Sequence, residues 1–550
     1  MILLKLLLFF LSIIVCSISI SGYGSLLSHR IKNNFFLDIF LGFIAITFII
    51  TFTHYFLKIN LLISFFIFVL GIIFFFYKRI LKFEKIITKE NTSYIIIIFL
   101  LIPIYLSQKY HEDFGYYHLP YAIGFIEEKI IFGFANINKT YVYNSIWLNL
   151  YSIFFVGKKN FNFLTLPSFI LFLSFVLFSF RCAISKNQKL LSDYFLITTI
   201  FYFVLKFTRI SEFGVDLPAT IFCILTIYYF IKFSEINSFE KKKEYFFLIF
   251  IFSIFSILIK LSTIPIILLP VYIYIKYFQN IKWHILRLKF CFVYLLITLF
   301  LTQQFIYTGC FFFPTNFTCL SVSWLDQDNL KLSNQLVLIN KGYFLEAKDI
   351  FSPKEYLTNF TWFNFWIKRN FFEILENFST IILPITLFLF CLKKKDNNSI
   401  FLKDKLGLYI FLIFGLIFWF YFSPVYRFAI HLFLIIFFIL LIKFYISKEF
   451  SKKTFIVFFM IFILFSFLKN LLRLNQAESI FVGIQKIENK YILNEKSLSK
   501  SVKIYKPDTN NNSKNGWQGR LCWNTPFICS TNNLYVYKKN GYLVVNKLKN

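Results

Sequence analysis

The residues best suited to chemistry stand in one polar run, Gln108-Lys109-Tyr110-His111-Glu112-Asp113-Phe114-Gly115-Tyr116-Tyr117-His118-Leu119-Pro120. Two adjacent carboxylates and two imidazoles fall within eight residues, in a chain with six His in all. A carboxylate here could serve as general base, taking a proton from an attacking hydroxyl. With His111 or His118 it could instead hold a divalent cation. The bland alternative is a solvated loop in which Asp113 caps a helix over 116–131. Single cations stand at the edges of apolar runs: Lys260 in Ile259-Lys260-Leu261-Ser262, and Arg427 in Pro424-Val425-Tyr426-Arg427-Phe428. Each could contact a phosphate or simply anchor at the membrane interface. His431 follows Arg427 by about one helical turn, where a packed polar residue is the commoner role. In the patch 209–218, which opens on Arg209 and includes Glu212, Asp216 would cap a helix starting near Pro218, or shape a binding site. Gln303 and Gln304 could bond a sugar or a neighbouring helix. Trp362 and Trp366 read first as an interfacial belt and second as a surface for sugar rings.

The elements that must position these groups are membrane spans. Of 550 residues, 58% are apolar, 23% aromatic (83 of them Phe) and only 15% charged. Such a chain cannot form a soluble globule, a disordered segment or a coiled coil. Its net charge of +31 does not make it a nucleic-acid binder. Apolar stretches near the length of a bilayer crossing lie at 3–20, 37–56, 60–77, 93–107, 161–180, 191–207, 216–233, 245–259, 262–278, 290–308, 378–392, 406–422, 428–446 and 454–469. The expectation is an all-α integral membrane protein with about 14 transmembrane helices. Residues 144–156 are apolar but too short to cross and predict an interfacial or re-entrant helix.

Basic clusters at 78–89, 181–189, 241–243, 393–395 and 448–453 all fall on one side of this arrangement, which the positive-inside rule makes the cytoplasm. The other side carries loops 108–160 and 309–377, short connections 208–215 and 423–427, and the tail 470–550. Segment 1–92 then forms N-terminal accessory helices, 93–469 the main membrane domain, and 470–550 a small outer cap. The first span could alternatively be a signal peptide. No phosphate-binding glycine loop supports an ATP-driven pump, and no internal repeat is visible.

Of nine Cys, Cys310, Cys319, Cys522 and Cys529 fall on the predicted outer side. An even number in an oxidising compartment suggests disulfides. Two local rings come first; other pairings and a zinc site stay open, although neither spacing matches a zinc knuckle.

Asp113-Phe-Gly-Tyr-Tyr-His118-Leu-Pro resembles the first outer-loop motif of bacterial polytopic membrane proteins that are similar to C-type glycosyltransferases. That fold is shared by the dolichyl-phosphate-mannose protein mannosyltransferases and the lipid A aminoarabinose transferases. Phe134-Ala-Asn136 and Tyr143-Asn144-Ser145-Ile-Trp147 resemble the amphipathic part of that loop. Gly309-Cys310 to Cys319 resembles a Cys-Pro-Cys segment of one branch. Pro424-Val-Tyr-Arg427-Phe resembles the last outer connection, and Cys522-Trp523-Asn-Thr-Pro526 the tail.

The resemblance implies a polyprenyl-phosphate sugar donor, Asp113 as base with Glu112 as neighbour or substitute, and a glycan, lipid or protein acceptor. His118, Tyr117, Lys260, Arg427 and Asp216 become the candidate substrate-binding residues. No cofactor is implied beyond the divalent cation already raised. Two departures stand out: four spans precede the motif where the usual fold has one, and the Glu-Asp pair leads into a Tyr-His sequence whose His118 has no transferable role. The expected place is the cytoplasmic membrane, with the active face outward or periplasmic. Competing expectations are a transporter or flippase, which would place charges at mid-membrane, and a polymerase of lipid-linked glycans.

Overall fold

The computed structural model describes residues 2–28, 34–80, 89–106, 113–155, 163–185, 189–206, 214–282, 284–313, 315–394, 404–475, 495–499, 502–507, 521–522 and 525–548. Within a bilayer, apolar runs satisfy their backbone groups by winding into helices, and each apolar stretch noted above contains one. They are α1 (Ile2–Leu27), α2 (Phe35–Phe56), α3 (Leu61–Ile80) and α4 (Lys89–Leu106), followed by two short helices of the first loop, α5 (Leu119–Glu127) and α6 (Ile146–Phe154). Next come α7 (Leu166–Ser185), α8 (Leu191–Leu205), α9 (Asp216–Glu235), α10 (Phe239–Ile259) and α11 (Leu268–Lys276), the last entered through a 3-10 segment Leu261–Ile267. The bundle closes with α12 (Leu288–Thr308), α13 (Leu332–Asn340) in the long loop, α14 (Thr361–Phe390), α15 (Lys405–Phe422), α16 (Ile430–Ile446) and α17 (Lys452–Asn475).

Among the described residues, nine helices are long and apolar enough to cross a membrane: α1, α2, α3, α7, α9, α12, α14, α15 and α17. The protein is therefore a multi-pass, predominantly helical membrane protein. The expected fourteen exceed this number for two reasons. The apolar helices Ser93–Leu106, Leu191–Leu205, Leu261–Lys276 and Ile430–Ile446 are short, and α10 opens on the charged run Glu240-Lys241-Lys242-Lys243-Glu244. The C-terminal part adds two antiparallel hairpins, β1 (Glu495–Ser499) with β2 (Val502–Tyr505), and β3 (Leu534–Lys539) with β4 (Tyr542–Lys547).

One apolar core runs from Phe9 to Val545. Alpha-helix α1 lies so close to α2 that a Cβ on Gly24 or Gly42 would overlap the carbonyls of Asp38 and Ile20, the small-residue packing common in membranes. All nine residues of α6 are buried, packed among α2, α5, α7 and α10. Residues 146–154 of the apolar stretch are thus enclosed by protein rather than laid on a lipid interface.

Contacts sort the connections to two poles. At one, Lys289 pairs with Glu244 at 3.1 Å and Lys276 with Asp404 at 2.5 Å. There the Lys448 ammonium also donates to Leu392 O at 3.2 Å, and Glu449 N–H to Lys393 O at 2.9 Å. The described parts of the basic clusters from 181 onward gather at this end. The first loop, the long loop and the tail meet at the other.

Candidate active site

Proline shapes the catalytic-loop candidate. Pro120 has no N–H to offer Tyr116 O, so the preceding turn widens: Phe114–His118 is a π-turn in which Leu119 N–H donates to Phe114 O. Such turns recur at functional sites. Two carbonyls released by the widening are taken up from afar. Asn138 Nδ2 donates to Tyr116 O at 3.0 Å, and Cys522 N–H donates to Gly115 O at 3.0 Å. Asp113 precedes the turn in helical conformation and its side chain makes no capping bond, so the cap reading does not hold. Helix α5 covers 119–127 in place of the expected 116–131. Glu112 and His111 lie outside the described residues.

A second cluster is assembled from three separate elements. Asp216 is the first residue of α9, with Val215 at the cap position, so its carboxylate is not a cap either. It bridges two cations: Lys260 Nζ at Oδ1, and Arg427 Nε at Oδ2, 3.2 Å away. Lys260 sits in extended backbone between α10 and the 3-10 segment, its carbonyl accepting from Thr263 Oγ1 at 2.8 Å. Its ammonium also lies 3.2 Å from the centre of the Phe428 ring.

Arg427 belongs to the 3-10 turn Tyr426–Phe428. Two indoles pin that connection, Trp366 Nε1 donating to Pro424 O at 2.6 Å and Trp419 Nε1 to Val425 O at 2.8 Å. Trp362 and Trp366 are 2% and 6% exposed. They form a buried cluster holding the arginine's loop, which replaces the interfacial-belt reading. Trp366 stands out in the sequence, but its partner does not, because a backbone carbonyl carries no sequence mark.

Tyr117 links the two clusters. Its phenol is raised well above the ordinary value, first by burial, then by the charges of Asp113 and Asp216, with Arg427 acting in the opposite direction. The hydroxyl thus lies within electrostatic reach of all three groups and keeps its own proton available for donation. Burial lowers the Lys260 ammonium to about 8, aided by Arg427 and opposed by Asp216. Asp216, Lys260 and Arg427 together carry one net positive charge, which suits a phosphodiester anion.

His118 is buried, its ring centre 4.1 Å from that of Tyr117. Among the described residues no three His, Cys, Asp or Glu side chains gather as a metal site. His431 is buried against Phe411 in the core. Gln303 and Gln304 serve the loop. Gln303 Oε1 accepts from Asn144 Nδ2 at 3.0 Å and Asn149 Nδ2 at 3.3 Å, while Gln304 Nε2 donates to Val142 O at 2.6 Å. Tyr121 donates to Asn144 and Asn149, and Thr51 of α2 accepts from Asn149. A buried, mutually bonded network of this kind fixes one geometry.

The tail closes over this loop. Phe132 N–H donates to Leu543 O and Val545 N–H to Phe132 O. Ser530 Oγ donates to Ile137 O at 2.6 Å, and Phe527 N–H to Glu127 Oε2 at 2.8 Å. Asn136 Nδ2 bonds Trp324 O and Val545 O, tying all three segments together. Cys310 is bonded to Cys319, and Cys522 to Cys529.

No curated protein and no solved structure matches this chain. A family match runs over residues 3–434, from the first helix through the connection that carries Arg427, and leaves the tail outside. That span is more than half of the chain, and the protein belongs to the family described as a domain of unknown function (DUF8201).

Proposed function

We propose that the chain is an integral membrane glycosyltransferase with a C-type fold, moving a sugar from a polyprenyl-phosphate donor to a cell-envelope acceptor. The observation that carries this reading is the convergence of Lys260 and Arg427 on Asp216, within electrostatic reach of Tyr117 in the π-turn that follows Asp113. In this reading the acceptor hydroxyl attacks the anomeric carbon and its proton passes to the Asp113 carboxylate. The bond from that carbon to the phosphate oxygen breaks, and the lipid phosphate leaves with the electron pair toward Lys260 and Arg427. Back-side attack inverts the anomeric centre. Tyr117 donates to the phosphate, His118 holds the Tyr117 ring, and Glu112 is the neighbouring acid.

The proposal includes fourteen crossings and a site facing outward across the cytoplasmic membrane. Basic connections at the opposite pole support that orientation. So do two disulfides at this one, which suit an oxidising compartment.

The test is deletion of the gene, complemented by wild type or Asp113→Asn, with mass spectrometry of surface glycans and lipid-linked sugars. The expected outcome is a glycan lacking one sugar, restored by wild type, with Asp113→Asn reduced by at least ~100-fold. Accumulation of complete units on lipid would instead make the protein a carrier. Full complementation by Asp113→Asn would remove this carboxylate from the mechanism.

A further inference from the structure

Where the three segments of this pole meet, they leave a cavity of about 400 Å³. The first loop contributes Tyr116 and Asn138, the long loop Asn329 and Gln335, and the tail Thr531 and Asn532. We propose that this cavity binds the acceptor and that the acceptor is a neutral, hydroxyl-rich carbohydrate; the assignment rests on the transferase reading above.

Four observations support it. The walls are mainly amides and hydroxyls, groups that both donate and accept and therefore match sugar hydroxyls in either sense. Three charged residues also line it, Lys139, Lys547 and Asp328, and their charges nearly balance once Asp326 is counted, because Lys547 pairs with Asp328 at 3.6 Å and with Asp326, outside the lining, at 3.1 Å. A lipid acceptor would need an apolar groove, and these walls do not make one. The volume falls in the range of roughly 300–1,000 Å³ typical of small-ligand sites.

The position also fits. Tyr116 lines the cavity, and the next residue, Tyr117, feels Asp113, Asp216 and Arg427. The π-turn thus lines the acceptor cavity with Tyr116 and, through Tyr117, lies within electrostatic reach of the proposed phosphate site. Thr531 and Asn532 lie beyond the family match at 3–434. Acceptor choice is accordingly set by the tail as well as by the family's own loops.

The test uses full-length protein in lipid nanodiscs and saturation-transfer NMR with neutral hexose di- and trisaccharides. Wild type should bind at least one of them. Gln335→Leu with Thr531→Val, both at exposed positions where substitution is tolerated, should weaken that binding roughly tenfold through two lost hydrogen bonds. Unfolding temperature and the binding of a short polyprenyl phosphate should stay at wild-type values. Absence of any saccharide signal on wild type, or equal binding by the double variant, would overturn the inference even where Asp113→Asn abolishes sugar transfer. Conversely, saccharide binding lost in the double variant, with full transfer by Asp113→Asn, would keep the cavity's ligand and reject the mechanism.

Discussion

At the scale of single residues, the junction of Asp216, Lys260 and Arg427 makes a prediction about pH. Lys260 is lowered to about 8 by its burial. A lysine so lowered keeps its charge below that pH and loses it as pH rises through it. The cluster's net positive charge then falls to zero. Affinity for a polyprenyl phosphodiester should therefore hold below about pH 7 and decline above the Lys260 value, whereas Lys260→Arg should keep its affinity to about pH 10 because guanidinium stays protonated. Titration of binding by fluorescence quenching tests this, and a flat wild-type profile would exclude Lys260 from the phosphate site. The two cations and their carboxylate were each visible in the sequence as isolated residues at the edges of apolar runs. Their meeting was not, since Asp216 stands 44 positions from Lys260 and its apparent role was that of a cap.

Among elements, the π-turn and the tail strand are the informative pair. Pro120→Ala restores an N–H that competes with Asn138 for Tyr116 O. The turn should tighten toward a regular helix and rotate Asp113 and Tyr117 relative to the Asp216 junction. Sugar transfer should drop by roughly a hundredfold, the order expected of an ångström-scale misplacement, with the unfolding temperature unchanged or raised. Unchanged transfer would mean that the widened turn is incidental.

Gly133 adopts a φ of +75°, and a Cβ there would collide with the carbonyl of Val545. Gly133→Ala should cost about 1–3 kcal/mol and release β4 from Phe132. Hydrogen exchange at the Val545 amide reads this directly: protection equal to wild type would show that the strand tolerates the side chain. The Pro and the Gly were legible as residues, but their partners come from the far end of the chain, as with Ser530 and Ile137, 393 positions apart.

For the whole molecule, the two poles differ in charge and in sulfur chemistry. Cys391 is an exposed free thiol close to the basic connections of its pole, while both disulfides lie at the other. In a variant retaining Cys391 as the only free thiol, an impermeant maleimide should label inverted membrane vesicles and spare intact cells. Labelling of intact cells would reverse the proposed orientation. The same polarity explains why the tail folds where it does. Its hairpin pairs with Phe132 and its Lys547 with Asp326, so the last residues of the chain can only complete the pole that holds the first loop.

Composition and hydrophobic runs suffice to establish a multi-pass helical membrane protein, because a bilayer leaves an apolar chain of this kind few other folds. Local spacing also suffices to single out Asp113, Lys260 and Arg427 as chemical candidates. Tertiary structure alone brings the tail over the first loop, encloses α6 in protein, pins the Arg427 turn with two indoles and sets three charges on one another. The physical reason is that apolar periodicity places a helix in the membrane without choosing its neighbours. Those neighbours are chosen by side-chain shape and by hydrogen bonds to backbone carbonyls, which leave no pattern along the chain.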